Sequence, residues 1–135
     1  MKTHHRLTVV VGLLGVIAGM GIDRVIVAQQ AAVRRTELQR ADVPRNAGYE
    51  AVMAIAELPA GATSGKHRHP GFELGYVLEG TLVVEHEGRP IATLKAGDSL
   101  KHDGVHDVRN AGKTTAKALG VYIIEKGKPI AEPVK

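Results

Sequence analysis

Residues 61–80 read GATSGKHRHPGFELGYVLEG, and this stretch decides the fold. It packs two histidines, His67 and His69, a carboxylate, Glu73, and five glycines into one short run. In an extended chain, side chains two apart project from the same face. His67, His69 and Glu73 share that parity and can point the same way, with Gly71 between them leaving the space open. Two imidazoles and a carboxylate on one side are three ligands for a borderline divalent ion. A fourth candidate, His106, comes from a later strand near Gly104. Such groups are costly to bury unless a metal or hydrogen bonds satisfy them. The competing reading is a set of ordinary polar residues around a loop. A lone His-x-His deserves that reading, but here the spacing of His, His, Glu and a distant His favours a metal site.

Outward from this stretch the chain reads as short strands. Glu50–Leu58 is rich in small apolar residues and ends at Pro59-Ala60-Gly61, a strand followed by a turn. Phe72–Glu79 and Thr81–Glu87 flank Gly80, which predicts a hairpin. Gly88-Arg89 turns the chain into Pro90–Leu94, and Ala96-Gly97-Asp98 turns it into a strand near Leu100, with Asp98 capping the turn. Val105–Asn110 and Lys117–Glu125 complete the set. Regular short strands with glycine-bearing turns indicate an all-β sandwich or barrel, not a parallel α/β sheet. No helix-length amphipathic pattern follows Gln39, and no repeat of solenoid type is present. Tyr76 and Tyr122 read as core residues of half-buried strands.

At 135 residues there is room for one domain. Half of its formal charge of +4 sits at the N-terminus, where Lys2, Arg6 and Arg24 stand against Asp23. Beyond residue 28 the only Lys/Arg block is Arg34-Arg35, too little for a nucleic-acid footprint. Met1–Arg6 is positive, Leu7–Ile22 is apolar and Ala28 follows, the three parts of a secretory signal. Residues 1–28 therefore predict a signal peptide, or an uncleaved membrane anchor, and an exported protein, periplasmic or extracellular. Residues 29–48 form a polar spacer and lead-in strand, 49–128 the barrel, and 129–135 a tail. With no cysteine, disulfides are not part of the design.

Gly61, His67, His69, Glu73 and Gly80 fall on the first motif of the cupins at its usual spacing. Gly97, His106 and Asn110 resemble the second motif, with the segment before His106 two residues shorter and His102 standing near where a proline is customary. The resemblance spans about Tyr49 to Glu125 and is closest to small exported bacterial cupins. It implies a single jelly-roll β-barrel with His67, His69, Glu73 and His106 inside as ligands of one divalent transition metal ion. The shortened loop leaves His102 as the alternative to His106. Of the other histidines, His86 reads as an exposed hairpin tip, and His102 as a loop residue unless it joins the site.

Three imidazoles and one carboxylate leave one or two positions of an octahedral ion open. Fe, Mn, Ni, Co, Cu or Zn can fill such a site, since geometry and availability select among them. Two functions follow. One is a metal-dependent oxygenase, isomerase or lyase on a small oxygenated substrate, with Glu73 as ligand and general base. The other is a non-catalytic exported protein that captures a metal or small ligand. A homodimer is expected through exposed edge strands. Because free histidine titrates near pH ~6.5, metal affinity is expected to weaken as the pH falls through that value.

Overall fold

In Ala51–Ala54, burial alternates residue by residue: Val52 and Ala54 are fully buried while Ala51 and Met53 are partly open. The same period recurs along the strand from Gly71, where Glu73, Gly75 and Val77 turn inward. This period-two pattern, with no helix among the described residues, is what a two-layered β structure requires. The computed structural model describes residues 33–135. The export segment predicted for residues 1–28 and the start of the spacer lie outside them.

Ten strands follow in order: β1 (Arg34–Asp42), β2 (Tyr49–Leu58), β3 (His67–Arg68), β4 (Gly71–Glu79), β5 (Thr81–His86), β6 (Ala92–Lys95), β7 (Ser99–His102), β8 (His106–Asn110), β9 (Ala116–Glu125) and β10 (Glu132–Pro133). They form two antiparallel five-stranded sheets, ordered β1-β2-β9-β4-β7 and β10-β3-β8-β5-β6. The sheets face each other as a jelly roll, the all-β fold expected. One local expectation fails. Gly80 does not close a hairpin, because β4 pairs with β9 and β7 while β5 pairs with β8 and β6. Gly80 instead carries the chain from one sheet to the other. Its φ of 85° is open to glycine, and a side chain there would press on Ala116.

Register places the inward residues of the first sheet in three rows. Val52, Tyr122, Glu73 and His102 are successive cross-strand partners, as are Ala54, Gly120, Gly75 and Leu100. The third row runs Arg35, Ala56, Ala118, Val77. Three of the four residues in the middle row are Ala or Gly, which makes room for the larger side chains of the first row. At Gly120 a Cβ would sit 2.5 Å from the Tyr122 hydroxyl and 2.7 Å from Glu73 Oε1, so only glycine admits both side chains. Apolar packing is divided in two, with Leu58, Ala62, Val77, Leu82 and Ala116 at one end and Val52, Ala54, Tyr122 and Ile124 at the other.

The outer face of the same sheet is also apolar. Phe72 pairs with Ile123, Leu74 with Val121 and Tyr76 with Leu119. Leu74 is exposed, and Tyr76, expected in the core, is 46% exposed because its parity on β4 is opposite to that of Glu73 and Val77.

Candidate metal centre

On the second sheet, His67 is the cross-strand partner of His106, and His106 of His86. Directly opposite residues share a face, so three histidines stand in one row on β3, β8 and β5. The first sheet presents Glu73, Tyr122 and His102 toward them. His69 sits in the link between β3 and β4. Of the four predicted residues, His67, His69 and His106 form one group, and Glu73 from the opposite sheet meets it through His69. The extended run breaks at His69 and Pro70, between β3 and β4, so the three residues meet from different segments although all three turn inward. Gly71 does not open the site. A Cβ there would fall onto the carbonyl of Ile123, so its role is close backbone approach where the chain crosses between sheets.

Nearby side chains hold the ligand-bearing segments in place. Asp107 accepts hydrogen bonds from Thr63 (2.5 Å) and Ser64 (3.1 Å), and Ser64 Oγ accepts one from the Val108 amide (2.9 Å). These ties fasten the 61–66 loop to β8, and so His67 beside His106. Asn110 is buried and donates to the carbonyls of Leu58 and Thr114, while its Oδ1 accepts from the Gly112 amide. Its part in the second motif is therefore architectural. Asp98 accepts from the Lys95 amide at 2.7 Å, the turn cap expected of it.

Each of three imidazoles donates through Nδ1 to a backbone carbonyl: His67 to Gly65 (2.9 Å), His69 to Ile130 (2.6 Å) and His106 to Gly104 (2.8 Å). A carbonyl can only accept, so the proton of each neutral ring is on Nδ1 and the lone pair on Nε2. One ring nitrogen from each lies within 4.8 Å of the others. The Nε2 atoms of His69 and His106 are buried and have no hydrogen-bond partner among the described residues. Glu73 Oε2 lies 3.0 Å from His69 Nε2, at ion-pair distance but without hydrogen-bond orientation. A carboxylate oxygen and an imidazole nitrogen thus face each other in the interior, and a cation held by both, a proton or a metal ion, satisfies the pair.

Electrostatics act in the same direction. Burial lowers the pKa of His67, aided by His69 and Arg35, although the Gly65 carbonyl opposes it. Burial also brings His106 down to about 4. Both rings are neutral at neutral pH, the form that ligates. The pKa of Tyr122 is pushed well up, first by burial and then by the charge of Glu73, so it remains a phenol beside that carboxylate. It also packs on His69, with ring centroids 4.9 Å apart. It is thus a core residue that borders the site.

Two histidines differ from expectation. His102 is not on an open loop; it is only 2% exposed, and burial lowers its pKa to about 2. His86 is not an exposed tip. As the last residue of β5 it turns inward, and its Nε2 meets His102 Nδ1 at 2.6 Å. The signal was available in the strand itself, since Leu82, Val84 and His86 share one parity. A second group, His86, His102 and His106, also meets the 4.8 Å spacing.

Residues 54–122, more than half of the chain, match the family model of the cupin domain. The chain belongs to the cupin family. Among solved structures, it is similar to a conserved protein with a double-stranded β-helix domain from Klebsiella pneumoniae (19% identity, 77% of this chain and 86% of that one, TM-score 0.61). It is also similar to a recombinant oxalate oxidase in complex with glycolate (25% identity, 75% and 54%, TM-score 0.55). A third likeness is to the DMSP lyase DddQ from Ruegeria pomeroyi (23% identity, 62% and 43%, TM-score 0.55). No curated protein matches the chain. Neighbours of such different chemistry place the fold and leave the reaction to the site.

Proposed function

We propose that this cupin is a metal-dependent enzyme that acts on a small oxygenated substrate as an oxygenase, isomerase or lyase. The observation that carries the reading is the facing pair His69 Nε2 and Glu73 Oε2, 3.0 Å apart and buried, with the orphaned Nε2 of His106 in the same cluster. His67, His69, Glu73 and His106 are the proposed ligands of one divalent transition metal ion. Bound there, the ion supplies Lewis acidity and open positions for a substrate oxygen. The chain's own contributions are orientation and proton handling. The Gly65, Ile130 and Gly104 carbonyls hold the three imidazoles in the ligating tautomer. Among the described residues, Glu73 is the only carboxylate lining the interior cavity, which makes it the proposed base. Tyr122 stays protonated beside it and orients it.

We further propose that the protein is exported, on the pattern of residues 1–28, and forms a homodimer. Phe72, Leu74, Tyr76 and Leu78 leave an apolar stripe along the outer face of β4, a surface that a second copy can cover.

Elemental analysis of protein purified from its native compartment, followed by reconstitution with each candidate ion, tests the function. Turnover that depends on one ion supports the enzyme. Tight binding without turnover on small oxygenated compounds would make it a capture protein. Purified protein that neither carries nor takes up a stoichiometric ion refutes both.

A further inference from the structure

Arg35 stands on β1, outside the matched family region, in a polar stretch with no motif. Its register partner is Ala56, which puts it on the inward row with Ala118 and Val77. The alanines of that row, Ala56 and Ala118, line the same cavity and leave room for a long side chain. Arg35 accordingly lines the interior cavity together with Glu73, His67, His106 and Tyr122. Its Nε is buried with no hydrogen-bond partner among the described residues. Its neighbours on β1 differ: Arg34 pairs with Glu57, and Arg40 with Glu37 and Glu50. Those two are exposed and neutralised, whereas the more interior arginine has no carboxylate within ion-pair distance among the described residues.

Charge makes this placement informative. A divalent ion and Arg35 outweigh the single negative charge of Glu73, leaving an excess of positive charge around a largely apolar cavity. Uncompensated buried charge is unfavourable, and an anion relieves it. A guanidinium presents a planar fork of donors that matches a carboxylate. The cavity is about 40 Å³, enough for a headgroup of a few atoms but not for a bulky ring.

We propose that Arg35 is the anion-binding residue of the barrel, its guanidinium taking the carboxylate end of a small organic acid. This rests on the metal reading for its full strength, since the ion supplies part of the positive charge. Arg35 is a specificity residue here and has no part in proton transfer.

The test uses the full mature protein, metal-loaded and metal-free, with fluoroacetate and its neutral isostere fluoroacetamide followed by ¹⁹F NMR. Loaded wild type is expected to bind fluoroacetate at least about tenfold more tightly than fluoroacetamide. Arg35→Gln should abolish that preference while metal content stays at wild-type level, and Arg35→Lys should keep part of it, because a point charge lacks the fork. Equal binding of the two probes by wild type overturns the proposal, whatever the variants do. So does an Arg35→Gln protein that keeps both metal and preference. Loss of metal or of folded signal in Arg35→Gln but not in Arg35→Lys, with no probe preference in wild type, makes Arg35 a structural counter-charge for Glu73. If wild type holds no ion, the metal reading fails by itself. The metal-free preference for fluoroacetate over fluoroacetamide then decides the role of Arg35 independently.

Discussion

The His102 ring lies flat against the His106 ring, with centroids 3.8 Å apart and planes 5° from parallel. The two residues belong to opposite sheets, and His102 is held from behind by its 2.6 Å hydrogen bond with His86. His102 thus fixes where His106 stands, and His106, not His102, shares the cluster with His67 and His69.

The first prediction separates these two histidines. His106→Ala should lose the ion. His102→Ala should still bind one ion, but about 10–100-fold more weakly, as expected when a residue that orients a ligand is removed. Competition with a chelator, with circular dichroism to confirm folding, measures both. If His102→Ala strips the metal and His106→Ala keeps it, the fourth ligand has been placed on the wrong ring.

The second concerns Glu73. Glu73→Gln should weaken metal binding and reduce proton-transfer chemistry by ~10²–10⁴-fold. The metal-free proteins should behave in the opposite sense. A Gln amide can donate to His69 Nε2, where the carboxylate cannot, so metal-free Glu73→Gln should melt higher than metal-free wild type. Paired melting curves with and without the ion check this crossing of the order. A metal-free variant less stable than wild type argues against unprotonated Nε2.

The third is pH dependence. His67, His102 and His106 all have lowered pKa values, chiefly through burial, reaching about 2 for His102 and about 4 for His106. In the unfolded chain these rings titrate near ~6.5. The unfolded state therefore takes up protons first as the solution is acidified. Stability is full above ~6.5 and declines as the pH falls toward the folded values, by on the order of 2 kcal/mol for His106 alone between pH 7 and 5. Metal affinity should stay flat to lower pH than a free imidazole would allow, because protons compete poorly for these nitrogens. This moves the expected loss of metal to below pH ~6.5. Urea midpoints of metal-free protein and metal titrations across pH 8 to 4 test the two parts.

The fourth concerns association. Leu74→Lys together with Leu119→Lys places charges on the outer apolar face without touching the interior. Light scattering should give a dimer for wild type and a monomer for the variant, with metal binding unchanged. A wild-type monomer at tens of micromolar, or a variant that remains dimeric, removes this face from consideration.

The fold was legible because Gly61 to Gly80 combines turn glycines with inward polar residues at fixed spacing. Most strands survived for the same reason, since their apolar runs end within a few residues of a glycine. The two-residue strands β3 and β10 carry no such run and lay in what read as a loop and a tail. Pairing did not survive at Gly80, where a turn residue flanked by two strands describes both a hairpin and a crossing between sheets. His67, His69 and Glu73 could be named from spacing, but their convergence across two sheets could not, because parity holds only while the strand continues. His86 was hidden by its company: Glu85, Glu87 and Gly88 read as a solvated tip, although Leu82 and Val84 give its inward parity. Arg35 was hidden in a stretch of mixed charge, where only register with Ala56 reveals that it faces the interior.

The candidate ligands are divided between the two layers, with His67 and His106 on one sheet and Glu73 on the other. A coordinated ion would therefore rivet the sandwich shut. Opening the sheets, the motion that exposes the interior to proteases, would first require breaking coordination bonds. Ligands that bind only the folded state add stability as RT ln(1 + [L]/Kd). Metal supply in the compartment would then set the protein's lifetime there as well as its chemistry.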